Sequence, residues 1–259
     1  MSGSIDQKIE EGIAEINFVY EKDRSIMTPE LLDAFGRALM AFETDNTVRA
    51  VLITSSGDNF CTGMDVNWFK SISDVSEIHS LNIHHQDIHR KMAQFSKPVV
   101  AALKGYTLGQ GMALAIYSDI RIASEDTKMG MPEIKLGIPV MMNCVKKMIS
   151  IIGIARTKEL LYTGDVIDAA QALTMGLVNH LVSEADLKEK AFSFTRKIAK
   201  QSPISLSLLK RRAEFALEMS AEACFSYELS DFNSFWNSKD REEAIRAFFE
   251  KREAYFTGE

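Results

Sequence analysis

Lys104-Gly105-Tyr106-Thr107-Leu108-Gly109-Gln110-Gly111 is the stretch whose reading decides the fold. It leaves an apolar run, 99–103, that reads as a buried strand, and it enters a second apolar run, 112–117, that reads as a helix. Glycines in such a turn let backbone approach a ligand closely, and the helix start behind them favours negative charge. Working outward, strand 49–54, a long helix over 75–95, strand 97–103, the helix after Gly111 and strand 119–123 follow one another. That alternation predicts α/β architecture built from right-handed crossover units. Ligands of such sheets bind where loops leave the strand ends, and the glycine turn lies there.

The flanks are consistent with this. Residues 12–18 alternate as a strand, and Thr28-Pro29-Glu30 opens a helix with a capping hydroxyl, a proline in its first turn and an acid. Leu31, Phe35, Ala38 and Phe42 recur at helical spacing and give that helix one buried face. Beyond about residue 142 the pattern becomes helix after helix: 146–152, 155–162, 168–175, 184–200 and 204–215, with a short strand at 177–182. The closing helices, 221–236 and 241–254, carry Phe225, Phe232, Phe235 and Trp236. So apolar a tail covers its own core or a neighbouring subunit. The expected organisation is an α/β core over 1–200 and a helical subdomain over 201–259 that serves oligomerisation.

Composition removes several classes. At 259 residues, 46% apolar and 25% charged, the chain is long enough for a sizeable core and ordinary for a soluble protein. A net charge of −6 argues against nucleic-acid binding, which needs a basic field. Cys61, Cys144 and Cys224 are far apart and form no C-x-x-C pair, so a reducing compartment is expected and a disulfide framework or zinc site is not. Neither a signal peptide, a transit segment nor an apolar span of membrane length is visible, which makes the cytoplasm the expected location.

Two further segments carry chemistry. Met131-Pro132-Glu133-Ile134-Lys135-Leu136-Gly137-Ile138 sets one carboxylate among apolar neighbours, where desolvation tunes it for proton transfer. Asp58-Asn59-Phe60-Cys61-Thr62-Gly63-Met64-Asp65 follows strand 49–54. An anion-stabilising turn with one carboxylate suits chemistry beside a thioester or ketone carbonyl. Each turn alone also reads as a plain strand-to-helix connection, and Glu133 alone as a solvated loop carboxylate.

Together the three segments resemble the crotonase, or enoyl-CoA hydratase/isomerase, superfamily. Phe60, Gly63 and Asp65 match its F-x-x-G-x-D signature, and Gly105, Gly109 and Gly111 match G-x-x-x-G-x-G. The likeness runs from the first helix to Ala247-Phe248-Phe249-Glu250-Lys251-Arg252. It implies an α/β crotonase (ClpP/crotonase-like) spiral of ββα units with a helical C-terminal subdomain, assembled as a homotrimer or dimer of trimers. It also implies an acyl-CoA thioester as substrate, with coenzyme A entering as part of it and no separate cofactor, metal or membrane partner.

Site residues follow from the same resemblance. The backbone N–H groups of Met64 and Gln110 are the implied oxyanion donors. Ser25 and Ile26, in the loop Lys22-Asp23-Arg24-Ser25-Ile26-Met27, match the segment that receives the adenine. Phe248 and Lys251 match the pair that reaches a nucleotide phosphate from an adjacent subunit; an ordinary surface lysine is the alternative. Asp65, Gly109, Gly111, Ala113, Met141 and Asn143 complete the substrate-facing set. Family hydratases use two glutamates, one at the position of Glu133 and one at that of Ala113, so this chain keeps the first and lacks the second. One carboxylate is enough for a 1,3-proton shift, and the resemblance therefore points to a Δ3,Δ2-enoyl-CoA isomerase. A hydratase or dehydratase acting on a specialised acyl-CoA or carrier-bound thioester is the alternative, and a catalytically silent acyl-CoA-binding or protein-interaction module is the alternative of another class.

A second departure follows Glu133. Where family hydratases continue with a glycine-rich helix start, this chain has Val140-Met141-Met142-Asn143, which is expected to reshape and narrow the acyl pocket. Met64, Met112, Met129 and Met131 read first as adaptable core filling. Asn143 and the Gln110 side chain are candidates for orienting a polar acyl group, against the commoner role of satisfying local backbone. His85 and His89 stand four apart, a spacing open to two metal ligands, but no third ligand is evident. A solvated or pocket-flanking face is the expectation for the cluster His79, His84, His85 and His89.

Overall fold

The structure is a computed structural model that describes residues 3–20 and 25–259. In chain order it contains β1 (Ser4–Glu10), β2 (Ile13–Val19), α1 (Pro29–Glu43), β3 (Ala50–Ser55), α2 (Val66–Ser71), α3 (Val75–Gln94), β4 (Val99–Leu103), β5 (Tyr106–Leu108), α4 (Gln110–Tyr117), β6 (Ile120–Ser124) and β7 (Lys128–Gly130). A 3-10 turn, Pro132–Leu136, precedes α5 (Cys144–Thr163), β8 (Val166–Asp168), α6 (Ala169–Met175), β9 (His180–Val182) and α7 (Glu184–Ala199). The helical end comprises α8 (Pro203–Phe215), α9 (Ala221–Ser230), α10 (Phe232–Trp236) and α11 (Lys239–Glu250).

The main sheet has the order β1-β2-β3-β4-β6-β9, and a smaller one has the order β5-β7-β8. From β2 to β9 all neighbours run parallel, with β1 antiparallel at the edge. Strands covered on both faces must be apolar throughout, which is why β3 and β4 read as Ala-Val-Leu-Ile and Val-Val-Ala-Ala-Leu. One face packs on α1, α4 and α5 in a core that includes Phe18, Phe35, Phe60, Met112 and Met129. The opposite face, Ile13, Leu52, Val100 and Ile122, is covered by Leu187 and Ala191 of α7.

The expectations for α1 hold at residue level, and two further helix bounds are corrected. Thr28 caps α1 by accepting the Leu31 N–H at 3.3 Å, and Leu31, Phe35, Ala38 and Phe42 are all buried. The helices expected at 146–152 and 155–162 are one element interrupted at Gly153, whose φ of 78° and ψ of 163° break the helical path. The terminal pattern 241–254 is helical only to Glu250, because Lys251 adopts a left-handed φ of 55° and caps α11.

What positions the site is a backbone-to-backbone approach. The segment 59–63 lies on the glycine turn, with Phe60 N–H donating to Lys104 O at 2.8 Å and Leu108 N–H donating to Cys61 O at 2.9 Å. Gly111 begins α4 directly over Cys61: an added Cβ would stand 2.7 Å from the Cys61 Cβ and closer still to its carbonyl oxygen. Alanine in a helix gains about 1 kcal/mol over glycine, but overpacking costs about 1–3 kcal/mol and occasionally more, and here the clash is with backbone that cannot yield. Gly111→Ala should therefore lower the urea unfolding midpoint. Gly137→Ala, where φ is 73° and nothing lies within 4 Å of the new Cβ, should cost only about 1–2 kcal/mol of left-handed strain.

Candidate active site

Three segments meet at Gly109. Its φ of 50° and ψ of −113° place it just outside α4, so the N–H of Gln110 is a helix-terminal donor with no intrahelical partner. A Cβ on Gly109 would lie 3.2 Å from Glu133 Oε1 and 3.7 Å from Gly63 Cα. Gly63 itself has φ of 108°, and the N–H of Met64 follows it. Among the described residues, neither the Met64 nor the Gln110 N–H has a hydrogen-bond acceptor. Two free amides on adjoining turns, with a carboxylate against one of them, can bind an anionic oxygen and move a proton beside it.

Glu133 sits in the 3-10 turn after Met131, with Pro132 in its first position. The chain reverses at Gly137, whose left-handed φ of 73° lets its N–H donate to Ile134 O at 3.0 Å. The turn exposes Ile134, Lys135 and Leu136 and directs Glu133 inward, leaving Oε2 buried without a hydrogen-bond partner. Desolvation raises its pKa above the usual 4.5. Burial also pushes the neighbouring Cys144 thiol to about 12, and the charge of Glu133 adds to that rise. Cys144 is thus a thiol at neutral pH, as expected for an inert buried cysteine.

The candidates divide into distinct groups. Ala113 is fully buried and presents no polar atom. Asp65 caps α2 by accepting the Asn67 N–H at 2.9 Å, which accounts for its carboxylate as a structural group. Ser25 is buried and its carbonyl accepts from the Thr62 N–H at 2.7 Å, while Ile26 is half-buried beside it. Lys22, Asp23 and Arg24 lie outside the described residues. Phe248 and Lys251 are exposed at the end of α11. Met112, Met129 and Met131 are buried in the core, as their reading as filling required, and Met64 packs against it.

The loop before α5 is unusual. Met142 and Asn143 both take left-handed φ, 57° and 55°, although neither is glycine. Such conformations cost about 1–2 kcal/mol each. The Tyr117 hydroxyl holds the loop by donating to Met142 O at 2.8 Å. Met141 and Asn143 are exposed. A cavity of about 730 Å³ beyond Tyr117 is lined by Arg90, Phe95, Met142, Asn143, Lys147 and Lys210, and neither Glu133 nor Gln110 borders it.

Of the four histidines, His79 and His84 are exposed as expected, and the solvated reading needs correction for the other two. His85 and His89 are 4% and 1% exposed, not solvated, because they share with Ile88 and Met92 the inward stripe of α3. Burial lowers both to a pKa of about 4. The spacing 85, 88, 89, 92 was the available signal, since it is the apolar face of a helix with histidines in two places. Of the set, among the described residues, only His84 contacts a carboxylate, that of Asp33 on α1 at 2.5 Å. No three His, Cys, Asp or Glu side chains gather as a metal site among the described residues. Gln110 turns its side chain to His89, a contact that no motif disclosed.

Residues 8–259 match the model of the enoyl-CoA hydratase/isomerase family. A probable enoyl-CoA hydratase of Bacillus subtilis is 32% identical over 242 residues, covering 93% of this chain and 94% of that protein. A crotonyl-CoA hydratase of Syntrophomonas wolfei is 31% identical and covers 95% of each. The crystal structure of an enoyl-CoA hydratase from Bacillus anthracis superposes with a TM-score of 0.92 at 28% identity, covering all of both chains.

The raised pKa of Glu133 has a stability consequence. The folded state holds this proton more tightly than the unfolded chain, so the group's contribution is full below 4.5 and is lost as pH rises through the folded pKa. At neutral pH the buried carboxylate therefore costs stability. Glu133→Gln should raise the melting temperature at pH 7, and the gain should vanish below about pH 4 in thermal melts.

Proposed function

The chain belongs to the enoyl-CoA hydratase/isomerase family, and from that premise we propose that it acts on an unsaturated acyl-CoA thioester with Glu133 as its acid–base group. The Met64 and Gln110 N–H groups receive the thioester oxygen as it takes on enolate charge. The observation carrying this reading is the approach of the desolvated Glu133 carboxylate to the Gly109 turn, beside Gly63.

The relatives' names support addition or removal of water, so we put first a hydratase or dehydratase for a specialised enoyl thioester. Glu133 takes a proton from water as the water oxygen bonds to the β carbon, and the thioester becomes an enolate. With Ala113 supplying no second carboxylate, Glu133 returns that proton to the α carbon. The second reading is the Δ3,Δ2-isomerase, and Ala113 itself favours it. Glu133 removes a proton from the α carbon of a 3-enoyl thioester, and the dienolate takes it back at the γ carbon without any water to position.

Two assays separate the readings: loss of 2-enoyl absorbance with crotonyl-CoA, and its appearance with a 3-enoyl-CoA. Glu133→Gln keeps the shape and removes the base, so whichever reaction the protein performs should fall by about 10²–10⁴-fold. Ala113→Glu should raise hydration over isomerisation. An enzyme inert on enoyl thioesters of every chain length, or a Glu133→Gln variant as active as wild type, would overturn the assignment.

We also propose a homotrimer or dimer of trimers. Phe225, Leu229, Trp236 and Phe248 are 68%, 75%, 48% and 77% exposed on the helical end, a face that a neighbouring copy would cover. Such packing would bring Phe248 and Lys251 to a neighbour's nucleotide. Light scattering should then give a multiple of three 29.0 kDa chains, and a stable monomer at micromolar concentration would contradict it.

A further inference from the structure

We propose that His89 is a positioning residue for the oxyanion turn: it accepts a hydrogen bond from the Gln110 side chain and so fixes the residue whose main-chain N–H faces the thioester oxygen. This rests on the oxyanion role given above to that N–H.

The hydrogen bonds determine the direction of the tether. His89 Nδ1 lies 2.7 Å from the His85 carbonyl oxygen, which only accepts, so Nδ1 carries the proton. In a neutral imidazole Nε2 is then a bare acceptor, and it lies 3.1 Å from Gln110 Nε2. The Gln110 amide must therefore present its NH₂ to His89, and its Oε1 remains buried without a partner. His89 is held in turn by Tyr117, whose ring meets it edge-on with centroids 5.1 Å apart. Both imidazole nitrogens are engaged, which leaves His89 no lone pair for proton transfer or for a metal.

The tether completes a set. Gly109 is confined by Glu133 Oε1 and Gly111 by the backbone of Cys61. Gln110 lies between them, and the N–H of a first helical residue has no partner inside the helix to aim it. A side chain anchored on α3 supplies that constraint at the residue that needs it. A small misplacement of an oxyanion donor is expensive, because the interaction is strongest only where charge develops.

The test uses a chromophoric thioester, 4-(dimethylamino)cinnamoyl-CoA, whose absorption moves to the red when its carbonyl is polarised. Wild-type protein should shift it. His89→Leu and Gln110→Met should each remove at least about half of the shift and lower kcat by about tenfold, with KM within about twofold. Their double variant should lose no more than either single one, since both cut the same bond. His89→Gln retains an acceptor and should retain most of the shift. Absence of any shift in wild type removes the oxyanion hole and the tether with it. A wild-type shift that persists in folded His89→Leu or Gln110→Met overturns the tether alone. So do losses that multiply in the double variant, or a His89→Gln variant as impaired as His89→Leu.

Discussion

The structure depends on how closely two stretches of main chain can approach. Residues 59–63 and 104–111 are tied by hydrogen bonds through Phe60, Cys61 and Leu108, and Gly111 leaves no room for a side chain between them. Everything chemical in the site is referred to that contact. It sets Gly63 beside Gly109, frees the N–H groups that follow Gly63 and Gly109, and fixes where α4 begins. A rigid pair of donors acts strongly in a site sheltered from water because it pays no reorganisation energy during reaction.

Glu133 is placed by different means. The small sheet β5-β7-β8 carries the chain from Gly130 to the 3-10 turn, and Pro132 and Gly137 bound that turn on either side. Its carboxylate accordingly depends on local turn chemistry, while the amides depend on long-range backbone packing. The apolar surroundings that raise its pKa also leave its Oε2 without a hydrogen-bond partner, so the ionised form is held less firmly than in water.

The centre of the parallel sheet was legible because β3 and β4 are largely apolar runs of five or six residues and α1 carries a clear buried stripe. The strands β5, β7 and β8 of the small sheet were not, since three residues establish no period, whereas the equally short β9 lies within the strand read at 177–182. The helices expected at 146–152 and 155–162 form one element, because Gly153 alone leaves helical dihedrals and interrupts α5 without ending it. In the site, the glycine spacing disclosed the turns, and the carboxylate between Pro132 and Ile134 disclosed Glu133. What stayed hidden were contacts between elements distant in sequence. Gln110 to His89 joins two helices, and Tyr117 to Met142 joins a helix to a loop. Asp65 shows the opposite limit: it satisfies a motif, yet its carboxylate is occupied in capping α2.

Ala113 has a consequence for how such proteins diverge. It is the fourth residue of α4 and fully buried, and its methyl side chain offers no polar atom to the turns, while its main-chain N–H donates to Gly109 O at 2.8 Å. On the function proposed above, the groups that hold negative charge are main-chain N–H donors, which substitution scarcely touches. The proton carriers of the same reading are one or two side chains that the turns do not need for their geometry. On that reading a single substitution at position 113 would exchange one reaction for another while the fold and the thioester-binding turns stay the same, so overall likeness to a relative would report the shared enolate more faithfully than the product.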